Sequence, residues 1–212
     1  EIDGFTIPTN LWHKAARNAS EYFMMIEDDV WFTHKINVND LQEACQKNQI
    51  SLLKLGWLGN KKDDEFVEIS EITEEILRVE PKNLLLFPEF FNDLFFYNKF
   101  KFFTILYKLG IVDNATKRKY WALNSILMGF WQKEYWIHIW KNAKGKVDKN
   151  QQLRNATNYY RKHQNNPNFI ARLEKEALKT TFQSSATNSY HKYGDDFDVN
   201  YFNHLINQAW LN

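Results

Sequence analysis

Three consecutive carboxylates, Glu27, Asp28 and Asp29, follow five apolar or aromatic residues at 22–26 and precede Val30, Trp31 and Phe32. Adjacent carboxylates repel one another, so a fold that sets them at the mouth of a buried strand needs a cation or a basic group beside them. A divalent metal with oxygen ligands is the simplest such cation. The bland alternative is a solvated acidic loop after an edge strand. A second acidic patch, Asp195, Asp196 and Asp198, lies late in the chain and could supply the other half of a two-metal hydrolase or nuclease. No HExxH, CxxC, P-loop or GxSxG pattern occurs, which leaves zinc-protease, zinc-finger, P-loop NTPase and α/β-hydrolase chemistry without support.

Periodicity predicts the elements that must hold such a tip. Residues 8–19 carry Leu11, Trp12, Ala15, Ala16 and Ala19 at helical spacing, with Pro8 near the first turn, where its missing N–H costs little. A helix starting after Asn37 or Asn39 runs to about Gln49, and 51–58 reads as a buried strand. Helix, strand, helix, strand is the α/β pattern, a central sheet covered by helices. Further strands are expected at 66–72, 76–80 and 120–130, with helices at 133–143 (ending near Gly145), 149–164, 170–178 and 199–210. Residues 61–65 read as a charged loop, and 180–185 as a short strand or extended loop. Between 84 and 109, eight phenylalanines and Leu94 crowd a pair of helices. This aromatic lobe is expected to pack as a helical layer on the sheet rather than to form an acceptor-side or membrane-surface lid, because its charges are scattered along the sequence.

With 212 residues, 44% of them hydrophobic, the chain can bury one full core, and a single domain without internal repeats is expected. A net charge of +1 gives no general attraction to nucleic acid or anionic membrane, though a local basic pocket for a diphosphate stays open. No apolar run approaches the roughly 20 residues of a membrane span, since Lys99, Lys101 and Lys108 interrupt the richest stretch. Cys45, the one cysteine, excludes an intrachain disulfide and fits a reducing, cytoplasmic setting, at most peripheral to a membrane. Sequons begin at Asn18, Asn114 and Asn155, as chance allows in an asparagine-rich chain.

The string at 22–32, YFMMIEDDVWF, resembles the acidic metal motif of GT-A glycosyltransferases, above all the lipopolysaccharide and collagen-modifying family with its EDD after a hydrophobic strand. The resemblance implies a GT-A-like, Rossmann-like mixed sheet with helices on both faces. It further implies a Mn2+ or Mg2+ cofactor, a nucleotide-sugar donor and a carbohydrate or glycosylated acceptor. By the same likeness Glu27 and Asp29 are the outer acidic positions, Asp29 the foremost metal ligand, and Asp28 a diphosphate contact. Gly145, Lys146, Val147 and Asp148 resemble the family's VD element, in which Asp148 would orient sugar hydroxyls or deprotonate the acceptor; an Asp there is equally suited to a helix N-cap. The stretch 181–189 resembles a late segment where Gln183, Ser184 and Ser185 would reach the diphosphate or metal, with His191 a competing metal ligand or a plain surface histidine.

Family members place a nucleotide-binding region before the acidic motif, whereas 26 residues precede Glu27 here. The chain is therefore expected either to lack that part or to build its base pocket otherwise. The sequence as a whole reads as a metal-dependent glycosyltransferase of glycan or polysaccharide synthesis. The alternative is a non-catalytic, aromatic-rich α/β interaction domain, a degenerate transferase.

Overall fold

The computed structural model describes residues 8–26, 30–56, 65–96, 102–113, 115–124, 129–141 and 148–180. The first half contains α1 (Pro8–Asn18), β1 (Tyr22–Met25), β2 (Val30–Phe32), α2 (Val38–Lys47), β3 (Leu52–Lys54), β4 (Val67–Thr73) and β5 (Ile76–Pro81). The second contains α3 (Glu89–Phe96), α4 (Phe102–Lys108), α5 (Thr116–Trp121), β6 (Gly129–Gln132), α6 (Lys133–Ile139), α7 (Lys149–Lys162), β7 (Ile170–Leu173) and β8 (Leu178–Thr180). The helix expected at 199–210 and the acidic patch at 195–198 lie outside the described residues, whereas the helix expected at 133–143, to end near Gly145, stops earlier, at Ile139 with Trp140 as its C-cap.

Six strands form one mixed sheet in the order β1-β6-β3-β7-β5-β4, and β2 pairs with β8 in a separate ribbon. Only β3 and β7 run parallel among the described pairs. Because β1 and β3 each lie antiparallel to β6, and β7 follows β3, the carboxyl ends of β1, β3 and β7 share one end of the sheet. The ribbon is fastened there. The N–H groups of Ala177 and Leu178 donate to the Leu55 carbonyl, and Thr33 N–H donates to the Ala177 carbonyl.

Side chains alternate across a strand, and both faces of this sheet are apolar. Phe23, Leu52, Trp131 and Ile170 pack on one face with Trp12 and Ala16 of α1, Trp136 and Ile139 of α6, and Ala156 and Tyr159 of α7. Met24, Leu53, Phe130 and Ala171 pack on the other with Leu41 and Cys45 of α2 and with Val30 and Leu178 of the ribbon. Helices thus cover both faces, as the α/β pattern predicts. Gly129 permits the close fit of β6, since a Cβ there would stand 2.7 Å from Leu52 Cδ1 and 2.9 Å from Trp131 Nε1. Cys45 is buried and free, and burial pushes its thiol up to about 12, far from a reactive thiolate.

The aromatic lobe departs from its expected position. Phe95, Phe96 and Leu106 form a core of their own with Val112, Tyr120 of α5 and Leu153 of α7. Phe95 meets Phe96 edge-on at 5.0 Å and Tyr120 at 5.6 Å. The lobe therefore rests on α5 and α7 rather than directly on the sheet. Two further expectations are corrected. The run at 120–130 is not one strand: Tyr120 and Trp121 end α5, and β6 starts at Gly129. Residues 170–178 are not a helix but β7, a turn and the first residue of β8. The sequon asparagine Asn155 is buried and donates from Nδ2 to the Ile139 carbonyl, so it offers no surface for a glycan.

One packed histidine has a measurable consequence. His138 of α6 stands edge-on to Tyr159 at 4.8 Å. Burial, aided by the Lys141 and Lys162 ammoniums and opposed by Glu89, lowers its pKa from 6.5 to about 4. The unfolded chain takes up this proton near pH 6.5 and the folded chain only near pH 4, so stability present above pH 6.5 is lost as the pH falls towards 4. In melts across that window, His138→Gln should show a flatter dependence on pH than the wild type.

Candidate functional site

Open α/β sheets bind ligands beyond the carboxyl ends of their strands, and here that end is also where the acidic triplet is attached. Glu27, Asp28 and Asp29 lie outside the described residues, but their stems do not: Tyr22–Met25 is β1 and Val30–Phe32 is β2. Gln183, Ser184, Ser185 and His191 also lie outside, while the residue at which their segment begins is the end of β8. Val30 and Thr180 are ladder partners. The stem following the triplet and the stem preceding the late segment are therefore neighbouring strands at one end of one ribbon, roughly 4.7–4.9 Å apart. These two islands are some 150 residues apart in the sequence, as the numbering of their members shows, and the fold gives them a common root.

The sheet adds two cations that sequence reading passed over. In register across its carboxyl end stand Met25, Gly129, Lys54, Arg172 and Leu77. Neighbours in register project to the same face, so Lys54 and Arg172 share with Leu52 and Ile170 the face that α1, α6 and α7 cover. Both are half-buried, and Lys54 Nζ lies 3.5 Å from the Trp121 carbonyl. Two like charges on adjacent strands concentrate positive potential at that end of the sheet. The signal for them was present: a lone Lys in SLLKLG and a lone Arg in FIARL, each inside an apolar run.

Asp148 is described, and it caps α7. Its Oδ1 accepts from the N–H groups of Asn150 at 2.9 Å and Gln151 at 3.1 Å, and the residue is exposed. The N-cap use is thus present, and both of its bonds go to one carboxylate oxygen. One turn further along, Gln152 is buried, as is Asn124 after α5, and neither carboxamide has a hydrogen-bond partner among the described residues. Unmatched buried amides are costly; chemically, each could exchange a donor and an acceptor with a vicinal pair of hydroxyls. Among the described residues no three His, Cys, Asp or Glu side chains come together as a metal site. The metal assignment therefore rests on Glu27, Asp29 and His191.

A separate open cleft of about 540 Å3 runs along α1, lined by Asn10, His13, Lys14, Arg17, Asn18, Trp140 and Lys141. Burial and the Arg17 charge lower the pKa of His13 there. None of the expected site residues lines this cleft. No helix among the described residues is long and apolar enough to cross a membrane. Comparison with known proteins gave no matching family model, no matching curated protein and no matching solved structure.

Proposed function

We propose that this chain is a metal-dependent glycosyltransferase domain that moves a sugar from a nucleotide-sugar donor to a hydroxyl of a carbohydrate or glycosylated acceptor, in the cytoplasm. The observation that carries the reading is the common root of the two motif islands: β1 and β2 bracket the acidic triplet, and Thr180, from which the late segment departs, pairs with Val30. Lys54 and Arg172 at the same end of the sheet supply the basic charge that a diphosphate requires.

The donor set fits the cofactor, because Glu27, Asp28 and Asp29 are hard oxygen ligands of the kind that Mg2+ and Mn2+ take. Bound by Asp29 and Glu27, with His191 as a further ligand, the cation would neutralise charge growing on the diphosphate leaving group. Lys54 and Arg172 hold that diphosphate from the sheet side, and Gln183, Ser184 and Ser185 contact it from the late segment. Asp148, oriented by its two cap bonds through Oδ1, keeps Oδ2 for a hydroxyl of the acceptor or of the donor sugar. As a base it would take the proton from the acceptor oxygen.

The test is a thermal melt with Mn2+, with a nucleoside diphosphate, and with both, on the wild type and on Asp29→Ala. Ligand at 100 times its Kd should add about 2.7 kcal/mol of stability. A shift that requires metal and nucleotide together, and that disappears in Asp29→Ala, supports the donor site. Equal melts under all conditions would refute it and leave the interaction-domain reading.

A further inference from the structure

We propose that the lobe built from α3, α4 and the turn after it is a docking surface for an anionic lipid bilayer. This does not depend on the transferase reading. Ten large hydrophobic residues are exposed among the described residues, and six fall between 90 and 111: Phe90, Phe91, Ile105, Tyr107, Leu109 and Ile111. Phe90 is 68% exposed and Leu109 67%. Singly exposed apolar residues are ordinary, whereas a contiguous set marks an interaction site.

The set is contiguous. Phe90 and Phe91 stand 5.6 Å apart, and Phe91 lies 6.4 Å from Phe102 of α4. Phe102, Ile105 and Leu109 then follow at helical spacing along one face of α4 and past its end. Gly110, with φ of +71°, closes the helix in the left-handed conformation. Its N–H donates to the Tyr107 carbonyl and that of Ile111 to the Leu106 carbonyl, the paired bonds of a Schellman end. In that motif Ile111 usually folds onto Leu106; here Ile111 remains 58% exposed while Leu106 is buried.

Charge selects the occupant. Residues 84–121 contain six cations (Lys99, Lys101, Lys108, Lys117, Arg118, Lys119) and three carboxylates (Glu89, Asp93, Asp113). That is a net +3, against +1 for the whole chain, so the remainder carries −2. The carboxylates are engaged: Glu89 pairs with Lys162 at 3.4 Å and Lys141 at 3.8 Å, and Asp93 with Arg154 at 3.5 Å, all three cations lying outside the lobe. Asp113 accepts from Thr116 Oγ1. Lys117 sits over the Phe103 ring at 5.1 Å, placing an ammonium beside the aromatic surface. Exposed rings and aliphatics on a segment of net positive charge suit the headgroup region of an anionic membrane. A second copy of the lobe would meet it with like charge, which opposes self-association through this face.

Co-sedimentation with phosphatidylcholine vesicles, and with vesicles that also contain phosphatidylserine, tests the proposal on the full chain. The chain should pellet with the phosphatidylserine vesicles, far less with phosphatidylcholine alone, and release as salt is raised. The double variant Phe90→Ser/Leu109→Ser should lose about tenfold or more in partitioning, with circular dichroism and Tm unchanged because both side chains are exposed. Lys117→Glu/Lys119→Glu should lose the preference for the anionic lipid. No pelleting with phosphatidylserine, or pelleting that Phe90→Ser/Leu109→Ser leaves intact, overturns the proposal. So does a dimer by light scattering that this variant dissociates, in the absence of vesicle binding.

Discussion

Replacing Lys54 and Arg172 together by Met should weaken binding of a nucleoside diphosphate by about a hundredfold or more, each charge-assisted hydrogen bond being worth about 1.5–3 kcal/mol. The two residues sit in parallel register on β3 and β7 and share a face at the carboxyl end of the sheet. Methionine keeps the apolar stem that packs on that face while removing the charge, so the effect separates from unfolding. The same variant should bind the parent nucleoside, which has no phosphate, as the wild type does. Calorimetric titration of both ligands into both proteins measures the contrast. Equal diphosphate affinity in wild type and variant would place the anion away from this end of the sheet, whatever Asp29→Ala does.

Trp131→Ala should cost about 3–5 kcal/mol, the range for truncating a buried Trp or Phe, out of a total that in such domains is about 5–15 kcal/mol. Trp131 is fully buried in β6. It stacks near Tyr135 at 5.8 Å, meets Trp136 edge-on at 4.8 Å, and lies opposite Phe23 and Leu52 on the flanking strands. One side chain thus joins three strands to α6, and its loss opens a cavity between the sheet and its helical cover. Urea denaturation should show a lower midpoint with little change in slope. Phe90→Ser, at an exposed position, should stay within about 0.5 kcal/mol of wild type. Were the two variants equally stable, the packing of β6 against α6 described above would be wrong.

Elements whose pattern and caps agree were legible in the sequence. The helix at 8–19 matches α1, Asn37 was one of two expected starts for α2 and is its cap, and the strands at 66–72 and 76–80 match β4 and β5. Residues 170–178 misled because Ile170, Leu173 and Ala177 fall at helical spacing among Glu and Lys, residues that favour helix. Tertiary context overrides that preference: β7 lies between β3 and β5, with Ile170, Ala171 and Leu173 all buried. The run at 120–130 is apolar apart from Asn124 and Ser125, and periodicity alone does not divide such a run into helix and strand. Of the candidate site, residue types could be read but company could not. Nothing local joins Lys54 to Arg172, or Val30 to Thr180; each pair exists only through strand register. The aromatic lobe was legible but which of its rings are exposed was not, since a phenylalanine at 90 and one at 95 look alike until the helix is seated, and then Phe95 is buried and Phe90 is not.

The place of β7 also governs when this domain can become a domain. β4 and β5 form a hairpin that closes locally, and β1 joins β3 only through β6. Between these two parts stands a strand that begins at Ile170. During synthesis, the hairpin waits beside an incomplete sheet until nearly the whole described chain has left the ribosome, and loop closure over that distance makes the last step slow. A chain stopped short of β7 would carry two unmatched strand edges, on β3 and on β5, with Leu52, Leu53, Ile76, Leu77 and Val79 among their residues. Such a fragment is a substrate for aggregation and for chaperones rather than a smaller folded unit.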